Sequence, residues 1–162
     1  MKKLILITAM FTALFSFRST AQEAQLSPLL TNYYSIKDAL VSSNATGAAT
    51  AATAFVQAAK TADMKSMSAP AHTAFMALQE KLIADAGNIS ASKDINKQRE
   101  SFKTLSENIY QLAKSAKLSA QPVYQDYCPM KKAYWLSGST AIKNPYYGNQ
   151  MLTCGKVSDT IK

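Results

Sequence analysis

The sequence predicts a mainly α fold: a four-helix up-and-down bundle closed by a small C-terminal β-hairpin or irregular cap. Apolar residues recur at helical spacing in four successive segments between Ser27 and Ala116. That periodicity stops after Leu118, where Pro122 blocks a further helix. The remaining chain holds short extended runs separated by Ser-Gly and Asn-Pro-Tyr-Tyr-Gly turns.

Residues 1–21 read as a secretory leader, with Lys2 and Lys3 as the basic start, Leu4 to Phe17 as the apolar run, and Ser19-Thr20-Ala21 as the cleavage site. The run is too short and too poorly flanked for a stable membrane span. The expected product is a periplasmic or secreted chain beginning near Gln22, without the cysteine that a lipid anchor needs there. Losing Lys2, Lys3 and Arg18 lowers the formal charge from +8 to +5. No dense basic block or basic-aromatic stripe appears, so nucleic acid is excluded as a partner on electrostatic grounds. Residues 22–162 suit one domain, with the bundle over 22–118 and the cap over 119–162.

Ser27-Pro28 supplies an N-cap and a first-turn proline, and Leu29, Tyr33, Ile36 and Leu40 share the face of a helix running to about Ser42. Ser43-Asn44 opens a second helix, whose Ala48, Ala51, Ala52, Phe55, Ala58, Ala59 and Ala62 make a narrow face for close packing. Met64 to Ala69 is a connector. A third helix, capped by Ser68 and ended by Gly87, places His72, Phe75, Met76, Gln79, Leu82, Ile83 and Ala86 on one side. A fourth and longest helix begins near Ser92 and carries Ile95, Phe102, Leu105, Ile109, Leu112 and Ala113 in phase, with Arg99 on or near the stripe. A guanidinium there either clamps a carboxylate or carbonyls of the C-terminal segment, or snorkels to water. Strands are expected over Val123 to Tyr127, Tyr134 to Leu136 and Met151 to Val157.

The chemistry concentrates in Tyr124 to Gly155, which contains both cysteines, the sole tryptophan and five of the eight tyrosines. Cys128 precedes Met130 by two residues and Met151 precedes Cys154 by three, so a closed loop would gather four sulfurs. Soft donors select soft ions, Cu(I) or Ag(I), whereas zinc would want four Cys or His ligands and only three candidates follow the leader. His72 and Met76 project together and form a second tier of donors, although a lone histidine on such a face is more often a core or rim residue. Catalysis has little to build on: the acids are scattered, and no phosphate loop or nucleophile elbow is present. A non-enzymatic protein is expected. A disulfide between Cys128 and Cys154 competes with metal binding for the same atoms, and would leave a structural or protein-interaction module without metal.

Cys-Pro-Met from Cys128, Tyr-Trp-Leu-Ser from Tyr134, Asn-Pro-Tyr-Tyr-Gly from Asn144 and Met-Leu-x-Cys-Gly from Met151 together resemble the signature of a domain-of-unknown-function family. The similarity continues upstream through Tyr34 to Leu40, His72 to Met76 and Gln98 to Ser106. Its members are small secreted bacterial proteins, and the domain is also fused to periplasmic adaptor subunits of Cus-type copper/silver efflux systems. The resemblance implies a helical periplasmic domain tied to copper or silver handling, with an efflux adaptor or copper protein as partner. It further implies Cys128, Met130, Met151 and Cys154 as metal ligands, with His72 and Met76 behind them.

Overall fold

A computed structural model describes the backbone from Arg18 to Lys162 and the side chains from Leu26 onward. Four helices follow one another: α1 (Arg18–Val41), α2 (Ala45–Thr61), α3 (Ala69–Ala91) and α4 (Ile95–Ser115). Three strands complete the chain: β1 (Val123–Cys128), β2 (Ala133–Ser137) and β3 (Lys156–Ile161). The strands form one antiparallel sheet in the order β2-β1-β3. The mainly α bundle with a small C-terminal β cap is therefore the fold, and the cap is a three-stranded sheet. The leader expected over residues 1–21 lies, apart from its last residues, outside the described residues.

Each helix packs chiefly on its neighbours in the chain, and the sheet lies against α4. The small-residue face of α2 is buried as predicted, with Ala48, Ala52, Phe55 and Ala59 wholly inside. Asn44 caps this helix by accepting from the Gly47 amide at 2.8 Å. Polar side chains then fix the crossings. Gln79 Nε2 donates to the Ala59 carbonyl at 2.9 Å. The wholly buried Gln98 donates to the carbonyls of Ala45, Ile89 and Ser92, closing the end where α2, α3 and α4 meet.

Four local expectations are corrected. Pro28 does not start α1 but lies inside it, because Leu26, one turn edge upstream, is itself wholly buried and holds the helix through the lost amide. Gly87 does not end α3. Ile89 beyond it is buried in the core, and that burial outweighs the roughly 1 kcal/mol that glycine costs a helix interior. Helix α4 starts at Ile95 behind an Asp94 cap and, at 21 residues, is shorter than α1 and α3. Met151 to Cys154 is a turn following a short 3-10 segment, and the third strand begins only at Lys156.

Candidate functional site: a paired-thiol cap

β1 and β2 form a hairpin in register Tyr124↔Ser137, Asp126↔Trp135 and Cys128↔Ala133. Its turn spans residues 129–132 and closes through Lys132 at φ +52. Because partners across an antiparallel pair point to the same side, Asp126, Cys128 and Trp135 share one face, and all three are wholly buried. On that side Trp135 meets Tyr146 edge-on at 6.0 Å, Tyr146 meets Phe102, and Phe102 stacks on Tyr33 at 5.1 Å. The Tyr33 hydroxyl accepts from the Leu136 amide at 2.9 Å and pairs with Ser106 Oγ at 2.7 Å, joining α1, α4 and β2 at one atom.

Between β2 and β3 the chain folds into a strap, residues 138–155, organised by Asn144. Its Oδ1 accepts from the amides of Tyr146 and Tyr147, and its Nδ2 donates to the Cys154 carbonyl at 2.7 Å. Its own amide donates to the Leu152 carbonyl. One buried carboxamide thus sets the turn and delivers Cys154. Arg99 anchors the strap from below: Nε donates to the Pro145 carbonyl at 2.9 Å, and Nη2 donates to the Leu40 carbonyl and to Ser43 Oγ. The second bond places a cation on the carbonyl end of α1, where orphan acceptors and the helix dipole favour it. Of the two fates open to Arg99, the clamp on C-terminal carbonyls is the one realised. Gly148, at φ +54, allows this closeness, since a Cβ there would lie 2.8 Å from the Val41 carbonyl oxygen and 3.0 Å from Arg99 Nη2.

The strap brings Cys154 Sγ to 3.8 Å from Cys128 Sγ, and both are free thiols. The hairpin turn also sets backbone amides toward the sulfurs: Lys131 N–H donates to Cys128 Sγ at 3.4 Å, and the Met130 amide favours the Cys154 thiolate. Partial burial, then the bond to the Cys128 thiol and its charge, push the Cys154 thiol above its ordinary value despite the opposing Met130 amide. An ion pair from Lys131 to Glu100 ties the turn to α4.

The other proposed donors are less gathered. Met151 is half-buried in the strap, and its carbonyl accepts from the Cys154 amide at 3.0 Å. Met130 points outward with 64% of its surface exposed. His72 and Met76 are corrected: both side chains are exposed on α3, since Ala71 and Phe75 take the inward positions of that turn. His72 does not join the cysteines in a metal-binding group, and no cluster of three or more His, Cys, Asp or Glu suited to a metal occurs among the described residues. Asp126 was not foreseen. Burial pushes its carboxyl up to about 7, partly offset by the charge of Lys37, and neither carboxyl oxygen has a hydrogen-bond partner. Strict strand alternation from Cys128 would have placed it inside.

Fold and site together define a helical bundle that carries a paired-thiol cap. Residues 29–121 match the family described as Protein of unknown function (DUF3347), more than half of the chain, and the protein belongs to that family. The match ends before β1, so both thiols lie beyond it. No curated protein and no solved structure matches the chain.

Proposed function

We propose that the protein binds a soft metal ion, Cu(I) or Ag(I), as cargo on the thiol pair of the cap. The observation that carries this is the geometry of the two sulfurs: they lie 3.8 Å apart, and the inner one accepts the Lys131 amide of the hairpin turn. Amide donors favour the thiolate over the thiol, as they do around metal-bound cysteines. Two thiolates at about 2.3 Å from one ion, with a tetrahedral angle between them, stand about 3.8 Å apart. Cys128 would be the inner ligand and Cys154 the outer one, each giving up its proton on binding. Met151 is the nearest candidate for a third donor by its place in the strap, and the outward Met130 suits handing the ion to a partner. Trp135, Tyr146 and the strap would keep water and oxidant from the inner sulfur. The apolar leader and the resemblance of the tail support a periplasmic or secreted setting, with an efflux adaptor or copper protein as recipient. No enzymatic step is required of it.

A specific observation favours a second reading. The two thiols face each other across 26 residues, and oxidation with loss of two protons and two electrons to a thiol oxidant would staple hairpin to strap. Such a closure adds about 3 kcal/mol by loop entropy. Native mass spectrometry under anaerobic Cu(I) titration separates the two. One copper held by the reduced chain and lost in Cys128→Ser and Cys154→Ser, but retained in His72→Ala, is the expected result. A chain two hydrogens light that takes up no copper even after reduction would make the cap a stapled interaction module.

A further inference from the structure

The two faces of the sheet differ in what they present. Asp126, Cys128 and Trp135 point to one side, so strand alternation sends Gln125, Tyr127 and Tyr134 to the other. Asp159, the partner of Gln125 on β3, lies on that second side and reaches α4, where its carboxylate accepts from the Tyr110 hydroxyl at 2.6 Å. The register between β1 and β3 shifts at this point. Gln125 pairs with Asp159 and Asp126 with Val157, which leaves Ser158 as the extra residue of a bulge. A bulge of this kind re-aims the side chain it carries.

A cleft of about 430 Å³ opens between this second face and α4. Each strand contributes one lining residue, Gln125, Tyr134 and Ser158, and one turn of α4 contributes Glu107, Tyr110 and Gln111, spaced to share a helix face. The volume lies within the range of about 300–1,000 Å³ usual for small-molecule clefts. The lining is polar and uncommitted. Gln79 and Gln98 donate their carboxamides to carbonyls at the helix crossings. In contrast, no partner among the described residues hydrogen-bonds the side chains of Gln111, Gln125, Glu107 or Ser158, or the Tyr134 hydroxyl. Gln125 is the telling member, because it is only 8% exposed and still lines the cleft. A carboxamide that deep loses its bonds to bulk water on folding and recovers them only from what occupies the cleft.

We infer that this cleft binds an uncharged saccharide ring. An anion is opposed by Glu107 in the lining and by Asp159 beside it, and Lys114 is turned to Asp159 and to the Tyr110 ring. A cation suits Glu107 but meets the N–H groups of two carboxamides, which are donors only. An apolar ligand leaves five polar side chains unpaired. Sugar hydroxyls donate and accept at once, which is what carboxamide, carboxylate and hydroxyl groups together ask for. The rings of Tyr110 and Tyr134 supply flat apolar surface for the C–H face of the sugar. Because the cleft lies across the sheet from Cys128, it does not depend on whether the thiols hold metal or a disulfide.

The test is two-dimensional amide NMR of the chain from Gln22 onward, which retains every described core residue. The probes are methyl glucoside, methyl galactoside, methyl mannoside and N-acetylglucosamine, each titrated to about 50 mM. At least one of them is expected to give saturable shifts centred on residues 107–111, 125, 134 and 158. Gln125→Met should weaken that binding about tenfold, since it removes the buried carboxamide and keeps the volume. Gln111→Ala, at an exposed position that leaves the core untouched, should weaken it about threefold. Cys128→Ser and Cys154→Ser should leave it unchanged, so loss of metal binding and loss of sugar binding are read separately. Absence of saturable shifts with all four sugars overturns the inference, as does full affinity in both glutamine variants. Saturable shifts with tetramethylammonium or inorganic phosphate, and none with sugars, overturn it too and make the cleft an ion site.

Discussion

The bundle and the cap are built on different principles. The bundle is held by undirected burial: Phe55 sits among alanines, and Leu82, Leu105 and Ile109 fill the space between helices. The cap is held by aimed bonds to single atoms, from Arg99 to the Pro145 carbonyl, from Asn144 to Cys154, and from Leu136 to the Tyr33 hydroxyl. Burial tolerates many sequences of the right pattern, whereas a pair of sulfurs 3.8 Å apart requires fixed geometry. The family match covers the first kind of structure and stops short of the second.

Phe55→Ala should have the largest effect. It removes a wholly buried ring from the narrow face of α2 and should cost about 3–5 kcal/mol, lowering the thermal midpoint of the whole protein. Arg99→Met comes next, at about 3 kcal/mol, because it strips a charged donor from two carbonyls and a hydroxyl. Its signature should be regional: faster amide exchange over residues 144–154, with slow exchange retained in α2 and α3. Uniform loosening of the helices would show that bundle and cap are one cooperative unit and would erase the contrast.

Asp126→Asn should act in the opposite direction and depend on pH. In the folded protein the carboxyl titrates at about 7, above its value of 3.8 in the free state. Between those values the folded chain holds a proton that the unfolded chain has released, so stability falls as pH rises through this window. The neutral amide escapes that penalty. Asp126→Asn should therefore stabilise the protein by about 2 kcal/mol at pH 8 and change little at pH 4, as read from urea midpoints. An equal gain at both pH values would point to packing rather than charge.

The contrast also explains what the sequence disclosed. Helical phase located the buried stripes of all four helices, and even the inward Arg99, because a 3.6-residue period is a local property. Local signals failed where tertiary burial overruled them, at Pro28 inside α1 and Gly87 inside α3. They failed at His72 too, since a face that mixes Ala71 and Phe75 with His72 and Met76 is turned by packing, and a quarter turn exposes the latter pair. The two cysteines were recognisable as partners, but their approach was not, because it runs through Asn144 and Arg99, which are 10 and 55 residues from Cys154. Asp126 went unnoticed because a carboxylate in a strand reads as an outward position.

The Tyr33 hydroxyl meets the Leu136 amide across 103 residues of chain. Contacts that distant are made late, after shorter loops have closed. The strap in turn rests on Arg99 and on the carbonyl end of α1, both of which exist only once the helices have assembled. The sulfurs therefore come within reach of each other only in a nearly finished molecule. A half-folded chain holds its thiols apart, so reactivity at this pair doubles as a certificate that assembly is complete.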